Sequence, residues 1–210
     1  MEKIIENNQV TVMGEIVSGF SYSHEIYGEG FYLANVSVER ISGNCDIIPV
    51  MVSDRFVDVK EDCTGAVVRV SGQFRSYNRH ENGHGKLVLS VFARELCFIK
   101  DLGEGSNLNQ IALDGYICKE PIYRKTPLGR EVADLLLAVN RPYGKSDYIP
   151  CICWERNARY ASSLKVGERC TIHGRIQSRE YLKKLADGST ETRTAYEVSV
   201  AQMEEINDEK

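Results

Sequence analysis

Trp154 is the only tryptophan of the chain, and Tyr148 stands six residues before it. On an unbroken strand that even spacing turns both side chains to one face. Arg141, Arg156, Arg175 and Arg179 lie close by in sequence, and Arg124-Lys125 and Lys183-Lys184 fall in two stretches that read as hairpins. A guanidinium is flat, bonds phosphate oxygens through a rigid fork and stacks on planar rings. An aromatic face can take a nucleobase. Residue types in this pattern suit a polyanion that carries planar groups. Each basic residue taken singly also fits a solvated surface charge. Trp154 has a second reading as a core residue under a neighbouring helix, and Tyr143 and Tyr148 as exposed strand-end tyrosines. Tyr116, Tyr123, Tyr160 and Tyr196 read as barrel or edge packing.

The motifs of common enzyme classes are missing. No GxxxxGK[ST] phosphate loop or CxxC pair occurs, and the one HExxH string, His80-Glu-Asn-Gly-His84, carries a glycine and reads as a hairpin tip, not as a helix. His24, His80, His84 and His173 are scattered, and the pair His80 and His84 flanks a Gly-containing hairpin tip where solvation is the simplest reading. We therefore expect no enzyme activity, no metal and no cofactor. The seven cysteines are an odd number, and Cys151 and Cys153 alternate within an apolar run. That pattern suits buried reduced thiols on one strand face better than a disulfide framework. A reducing cytoplasm is the expected compartment. No apolar run approaches the ~20 residues that span a bilayer, and the start of the chain lacks the architecture of a signal peptide.

What positions these residues is a repeat. Gly14, Gly28, Arg40, Asp46, Ile48 and Pro49 recur 101 residues later as Gly115, Gly129, Arg141, Asp147, Ile149 and Pro150. Asn8-Gln9 returns as Asn109-Gln110, and Gly65 and Gly72 match Gly167 and Gly174 at an offset of 102. A near-constant offset over most of the chain means two copies of one domain. The expected boundaries are 1–100 for the first domain, 101–107 for a linker, 108–205 for the second domain and 206–210 for a short acidic tail. The net charge of −4 divides unevenly between the copies. Residues 1–105 hold 10 Lys/Arg against 15 Asp/Glu, whereas residues 106–203 hold 15 against 11. Only the second copy can offer a basic surface to a polyanion.

Each copy reads as five short strands rich in β-branched and aromatic residues. Ala and Leu spacing in 155–165 predicts a helix between the third and fourth strands. Glycines inside strands, Gly14, Gly72, Gly115 and Gly174, mark bulges or barrel corners. This is the order of the OB-fold. The fold class expected is all-β, two tandem five-stranded OB barrels, each with one short helix between strands three and four.

The second copy resembles the bacterial single-stranded DNA-binding protein family. The likeness runs through Leu113-Asp-Gly-Tyr-Ile, Glu120-Pro-Ile-Tyr-Arg-Lys-Thr-Pro-Leu-Gly, Leu137-Ala-Val-Asn-Arg and Asp147-Tyr-Ile-Pro-Cys-Ile-Cys-Trp. It continues through Val166-Gly-Glu, His173-Gly-Arg-Ile-Gln-Ser-Arg-Glu-Tyr and Tyr196-Glu-Val. The resemblance implies single-stranded DNA coated without strong sequence preference, in replication, repair or recombination. It implies stacking at Tyr143, Tyr148, Trp154 and Tyr181. It also implies a homo-oligomer, and a homodimer of this chain would present four barrels. RNA stays open as a ligand, since stacking does not read the sugar. Family members end in an acidic tail tip that recruits replication and repair proteins. This sequence closes on Ile206-Asn-Asp-Glu-Lys without one, which puts recruitment through a tail in doubt and leaves replication or repair proteins open as partners. A cytoplasmic, nucleoid-associated protein follows. The alternative is an interaction module resembling primosomal protein B, acting in replication restart through protein contacts.

The first copy lacks most of this kit. At the repeat offset Tyr143, Tyr148, Trp154 and Tyr181 become Ser42, Ile47, Ser53 and Arg79, and Arg124 and Lys125 become Ser23 and His24. Tyr22, Phe74 and Tyr77 remain as material for a lesser platform. An interface or spacer role and a weak second DNA site both stand open for this copy. The run Cys45-Asp-Ile-Ile-Pro-Val-Met-Val suggests an adhesive outer face.

Overall fold

A computed structural model of the chain describes residues 6–81, 84–100, 108–184 and 188–206, with the side chains of 79–86 left out. The expected linker, the side chains of His80 and His84, and residues 207–210 of the tail lie outside these. Among the described residues, strands dominate. In the first half they are β1 (Asn8–Ile16), β2 (Ser21–Ile26), β3 (Glu29–Glu39), β4 (Cys45–Ser53), β5 (Val67–Glu81) and β6 (His84–Phe98). The second half repeats them as β7 (Asn109–Ile117), β8 (Ile122–Lys125), β9 (Glu131–Arg141), β10 (Lys145–Trp154), β11 (Arg169–Lys184) and β12 (Thr190–Glu205). A single α-helix, α1 (Arg156–Ala161), follows β10.

Each half closes on itself. In the second, β7 pairs with β11, β11 with β12, β12 runs parallel to β10, β10 pairs with β9, and β9 returns to β7. The first half closes the same way through β1, β5, β6, β4 and β3. These are two OB barrels. The sixth strand in each half is the far part of a broken first strand: β7 and β8 both pair with β9, with Pro121, which has no N–H to give, in the break. Closure without open edges suits strands that alternate inward and outward. Bulges fall between Ser71 and Gly72 and between His173 and Gly174. At Gly174 a Cβ would run into the carbonyl oxygen of Ser199, so the tight corner there requires glycine.

The helix expected in both copies forms only in the second, where Ala158, Ala161 and Leu164 seal the barrel. In the first copy residues 54–66 run as turns and coil. Asp58 and Asp62 accept hydrogen bonds from the backbone N–H groups two residues on, at Lys60 and Thr64 (both 3.0 Å). Such side-chain turns compete with helical bonding, and the β-branched Val57 and Val59 add to the bias.

The barrels are joined by strand pairing, not merely tethered. β1 and β7 run antiparallel from Asn8↔Leu113 to Val12↔Asn109, centred on Val10↔Ile111. Val10 and Ile111 are repeat counterparts, so a twofold-like axis passes between them and the junction is isologous. The repeated asparagines serve one purpose twice. Asn8 exchanges two hydrogen bonds with the backbone of Phe74, both 2.8 Å, and Asn109 does so with Ile176 at 2.7 and 2.9 Å. Across the junction the repeated aspartates are used reciprocally. Ser178 N–H donates to Asp46 Oδ1 and Ser76 N–H to Asp147 Oδ1, both at 2.8 Å. The run expected to be adhesive, β4, is instead covered within the chain. Pro49 and Met51 are buried, and Ile47 N–H donates to Ser178 Oγ at 3.0 Å.

Candidate nucleic-acid interface

β10 places the aromatic residues. Its odd positions, Asp147, Ile149, Cys151 and Cys153, are buried, so the even positions Tyr148 and Trp154 lie on the outer face. Trp154 is therefore no core residue. It stands at the rim of a groove of about 540 Å³ lined by Arg40, Arg130, Arg175, Gln177, Ser178, Arg179 and Ser199. The Arg130 guanidinium carbon lies 4.6 Å from the centroid of the tryptophan ring, a cation–π distance. Tyr148 is exposed at the edge of the junction, and its N–H donates to Ser76 Oγ of the first barrel at 2.7 Å.

Tyr143 occupies a three-residue 3-10 turn, Pro142–Gly144, with φ 63° and ψ 34°, and is 93% exposed. Left-handed backbone is uncommon for a tyrosine and costs on the order of 1 kcal/mol. Nothing in its packing compensates that cost, while Pro142 and Gly144 on either side favour the turn. Tyr181 is exposed on β11, opposite Arg193 of β12. Lys183 and Lys184 continue that hairpin outward, both exposed.

The arginines divide. Arg175 and Arg179 line the Trp154 groove, although Arg175 Nη1 donates to Asp46 Oδ2 at 3.0 Å and Arg179 Nε sits 3.6 Å from Glu197. Arg141 lies 3.4 Å from Asp147 at the junction. Arg156 is exposed at the start of α1, two residues beyond Trp154. Arg124 forks onto Asp134 through Nε at 2.9 Å on the β8–β9 hairpin, with Lys125 exposed beside it. The structure thus gathers Trp154, Arg175 and Arg179 into one groove. Tyr143, Tyr148 and Arg141 sit along the β9–β10 end, Arg156 opens α1, and Arg124, Lys125, Lys183 and Lys184 lie on two hairpins outside the groove lining.

Sequence reasoning missed Arg130 and Arg40. Arg40 is nonetheless visible as the repeat counterpart of Arg141. In the first barrel Phe74 is fully buried in the core and offers no platform. Tyr22 meets Tyr32 edge-on at 5.6 Å. A ladder not foreseen runs His24–Phe31–Phe92, with ring centroids 5.0 and 5.5 Å apart.

Burial shapes the charges at the junction. Desolvation pushes the Asp147 carboxyl above its usual range against the opposing pull of the Ser76 N–H, Arg141 and Arg75. It lowers Arg75 and Arg175, while the hydrogen bonds to Asp46 raise Arg40. Cys151, Cys153 and Cys170 are buried thiols; desolvation raises Cys153 to about 12 and Cys170 to about 11. They are held protonated and inert. Among the described residues no group of three His, Cys, Asp or Glu side chains could hold a metal, and no helix is long and apolar enough to cross a membrane.

The fold and this groove define a class: a tandem OB-barrel protein with an aromatic and arginine-lined outer face. The class can be narrowed. The model of the Single-strand binding protein family matches residues 108–206, so the likeness to that family lies in the second barrel. A single-stranded DNA-binding protein of Halalkalibacterium halodurans is 40% identical over 81 residues, which make up 35% of this chain and 48% of that one. Single-stranded DNA-binding protein A of Bacillus subtilis is also 40% identical over 81 residues, covering 35% and 47%. The chain thus spans about half the length of the curated relatives it matches. The crystal structure of the wild-type single-stranded DNA binding protein from Thermus aquaticus superposes with a TM-score of 0.75 at 21% identity, covering 97% of this chain and 94% of that one. At that identity the likeness is one of fold, and it extends across both barrels.

Proposed function

We propose that the chain binds single-stranded DNA without regard to sequence and coats it during replication, repair or recombination. The observation that carries this reading is the groove itself: Trp154 faces outward among Arg40, Arg130, Arg175 and Arg179, in the span that the model of the single-strand binding family matches. Flat cations suit phosphates, and an aromatic face contributes about 1–3 kcal/mol per stacked base whatever the base. Tyr143, Tyr148 and Tyr181 extend the stacking path, and Arg141, Arg156, Arg124, Lys125, Lys183 and Lys184 flank it. The groove requires no metal or cofactor for this. Two chains assembling as a homodimer would present four barrels to one strand, in the cytoplasm and on the nucleoid.

The test is competition for a labelled oligothymidylate by unlabelled single-stranded DNA, RNA and duplex of equal length. Displacement by single strands of unrelated sequence, and not by duplex, supports the reading. Failure to retain the oligomer at low salt overturns it and leaves protein contacts of the replication-restart kind as the alternative. Light scattering at twice the 23.7 kDa of one chain would support the homodimer.

A further inference from the structure

The groove beside Trp154 is not made by the second barrel alone. Arg40 follows β3 of the first barrel, yet it lines the groove. Its guanidinium is held from behind. Nε donates to Asp46 Oδ2 at 2.7 Å, and Nη2 donates to Asp46 Oδ1 and reaches the Ser178 carbonyl oxygen at 3.4 Å. None of these bonds uses Nη1. Asp46 is fully buried, and the second barrel supplies two more donors to it, Arg175 Nη1 at 3.0 Å and Ser178 N–H at 2.8 Å. One carboxylate therefore fixes two arginines, one from each barrel, on one groove. The side chains of Arg40 and Arg175 stay 28% and 36% exposed, and although Arg175 Nη2 also donates to Gln177 Oε1 at 3.1 Å, each guanidinium keeps an accessible edge for a ligand. Fixing them in advance removes rotamer freedom that binding would otherwise have to freeze.

The repeat-related cluster is built less well. Arg75 and Arg141 lie 3.6 and 3.4 Å from Asp147. Arg75 Nε and Nη1 and Asp147 Oδ2 are buried without a hydrogen-bond partner. Of the two aspartate clusters, the fully bonded one borders the tryptophan.

We propose that the first barrel completes the strand groove of the second, with Arg40 contacting phosphate and Asp46 as the positioning residue that presents Arg40 and Arg175. The proposal rests on the single-strand reading of the groove. It gives the first barrel a reason to be retained although most of its own platform is gone.

The experiment is oligothymidylate binding by the full chain over a range of salt concentrations, in wild type, Arg40→Ala, Arg40→Lys, Asp46→Asn and Lys60→Ala. Removing one cation from a phosphate of a single strand flattens the slope of log affinity against log salt by about 0.7. Arg40→Ala should weaken binding about tenfold and flatten the slope by that amount. Asp46→Asn should flatten it by up to about 1.4, since two arginines lose their anchor. Arg40→Lys should recover slope more than affinity, because it restores charge without the fork. Lys60→Ala removes the same charge from the first barrel away from the groove and should change neither quantity. Wild-type affinity and slope in Arg40→Ala, or an equal flattening in Lys60→Ala, would overturn the proposal while leaving the single-strand reading intact. A wild type that binds no oligomer would overturn that reading itself. Should Asp46→Asn fail to fold, Arg40→Ala still decides the matter.

Discussion

Asp46 and Asp147 occupy the same place in the two copies and are both fully buried, yet replacing them with asparagine should have unequal consequences. Asp46 has a full set of donors: a fork from Arg40, Nη1 of Arg175 and the Ser178 N–H. Its neutralisation strips two half-buried guanidiniums of their counter-charge and leaves an amide NH2 facing cations. Breaking a buried pair from one side costs about 3–5 kcal/mol, and partial exposure of both arginines argues for the lower end, about 3 kcal/mol. Asp147 is poorly paired. One oxygen has no donor, its arginines stand at 3.4 and 3.6 Å, and burial raises its pKa. A carboxyl whose folded pKa is raised contributes stability that is fully present below its unfolded pKa, about 3.9, and lost as pH rises through the folded value. At neutral pH the charge on Asp147 is thus a cost, and asparagine, which can still accept from Ser76 N–H, relieves part of it. The expected destabilisation for Asp147→Asn is about 1 kcal/mol or less. Urea midpoints followed by far-ultraviolet circular dichroism would compare the two variants at pH 7. A destabilisation in Asp147→Asn equal to or greater than that in Asp46→Asn would refute this account of the junction.

Three further outcomes follow from individual sites. Gly174→Ala should lower the thermal midpoint by several degrees, since its Cβ meets the Ser199 carbonyl oxygen in the barrel wall and overpacking of this kind costs about 1–3 kcal/mol; an unchanged midpoint would show that the corner yields. Native protein at pH 8 should modify its exposed thiols Cys45 and Cys97 with an aromatic disulfide reagent while Cys151, Cys153 and Cys170 stay unreactive until denaturant is added. Because Cys153 is raised to about 12 and Cys170 to about 11, the stability they contribute is present below about pH 9 and is lost as pH rises through the folded values. Tyr143→Gly should leave stability unchanged or raise it by up to about 1 kcal/mol by relieving the left-handed backbone, while weakening oligothymidylate binding several-fold; unaltered binding would remove Tyr143 from the stacking path.

The duplicated architecture is legible because two copies of one pattern check each other: glycines at barrel corners and the paired asparagines recur at offsets of 101 and 102. Even spacing along β10 turns Trp154 and Tyr148 outward and Cys151 and Cys153 inward, since pleating alone decides that. What escapes depends on long-range proximity. Arg175 reads as a free cation until Asp46, 129 residues away, is placed beside it. The apolar β4 run looks adhesive because nothing local shows that the second barrel covers it. Phe74 reads as platform material because an aromatic residue on a strand looks alike from either face. The missing first helix has a local signal, Asp58 and Asp62 each two residues before an N–H they capture, but Ala and Leu spacing in the other copy overshadows it.

The central claim, a single-strand groove with Trp154 in its wall, is tested most directly by the fluorescence of that one tryptophan during titration with oligothymidylate at low and high salt. Such a groove predicts saturable quenching at a fixed stoichiometry and an affinity that falls steeply as salt rises. Unchanged emission with no retained oligomer would contradict it.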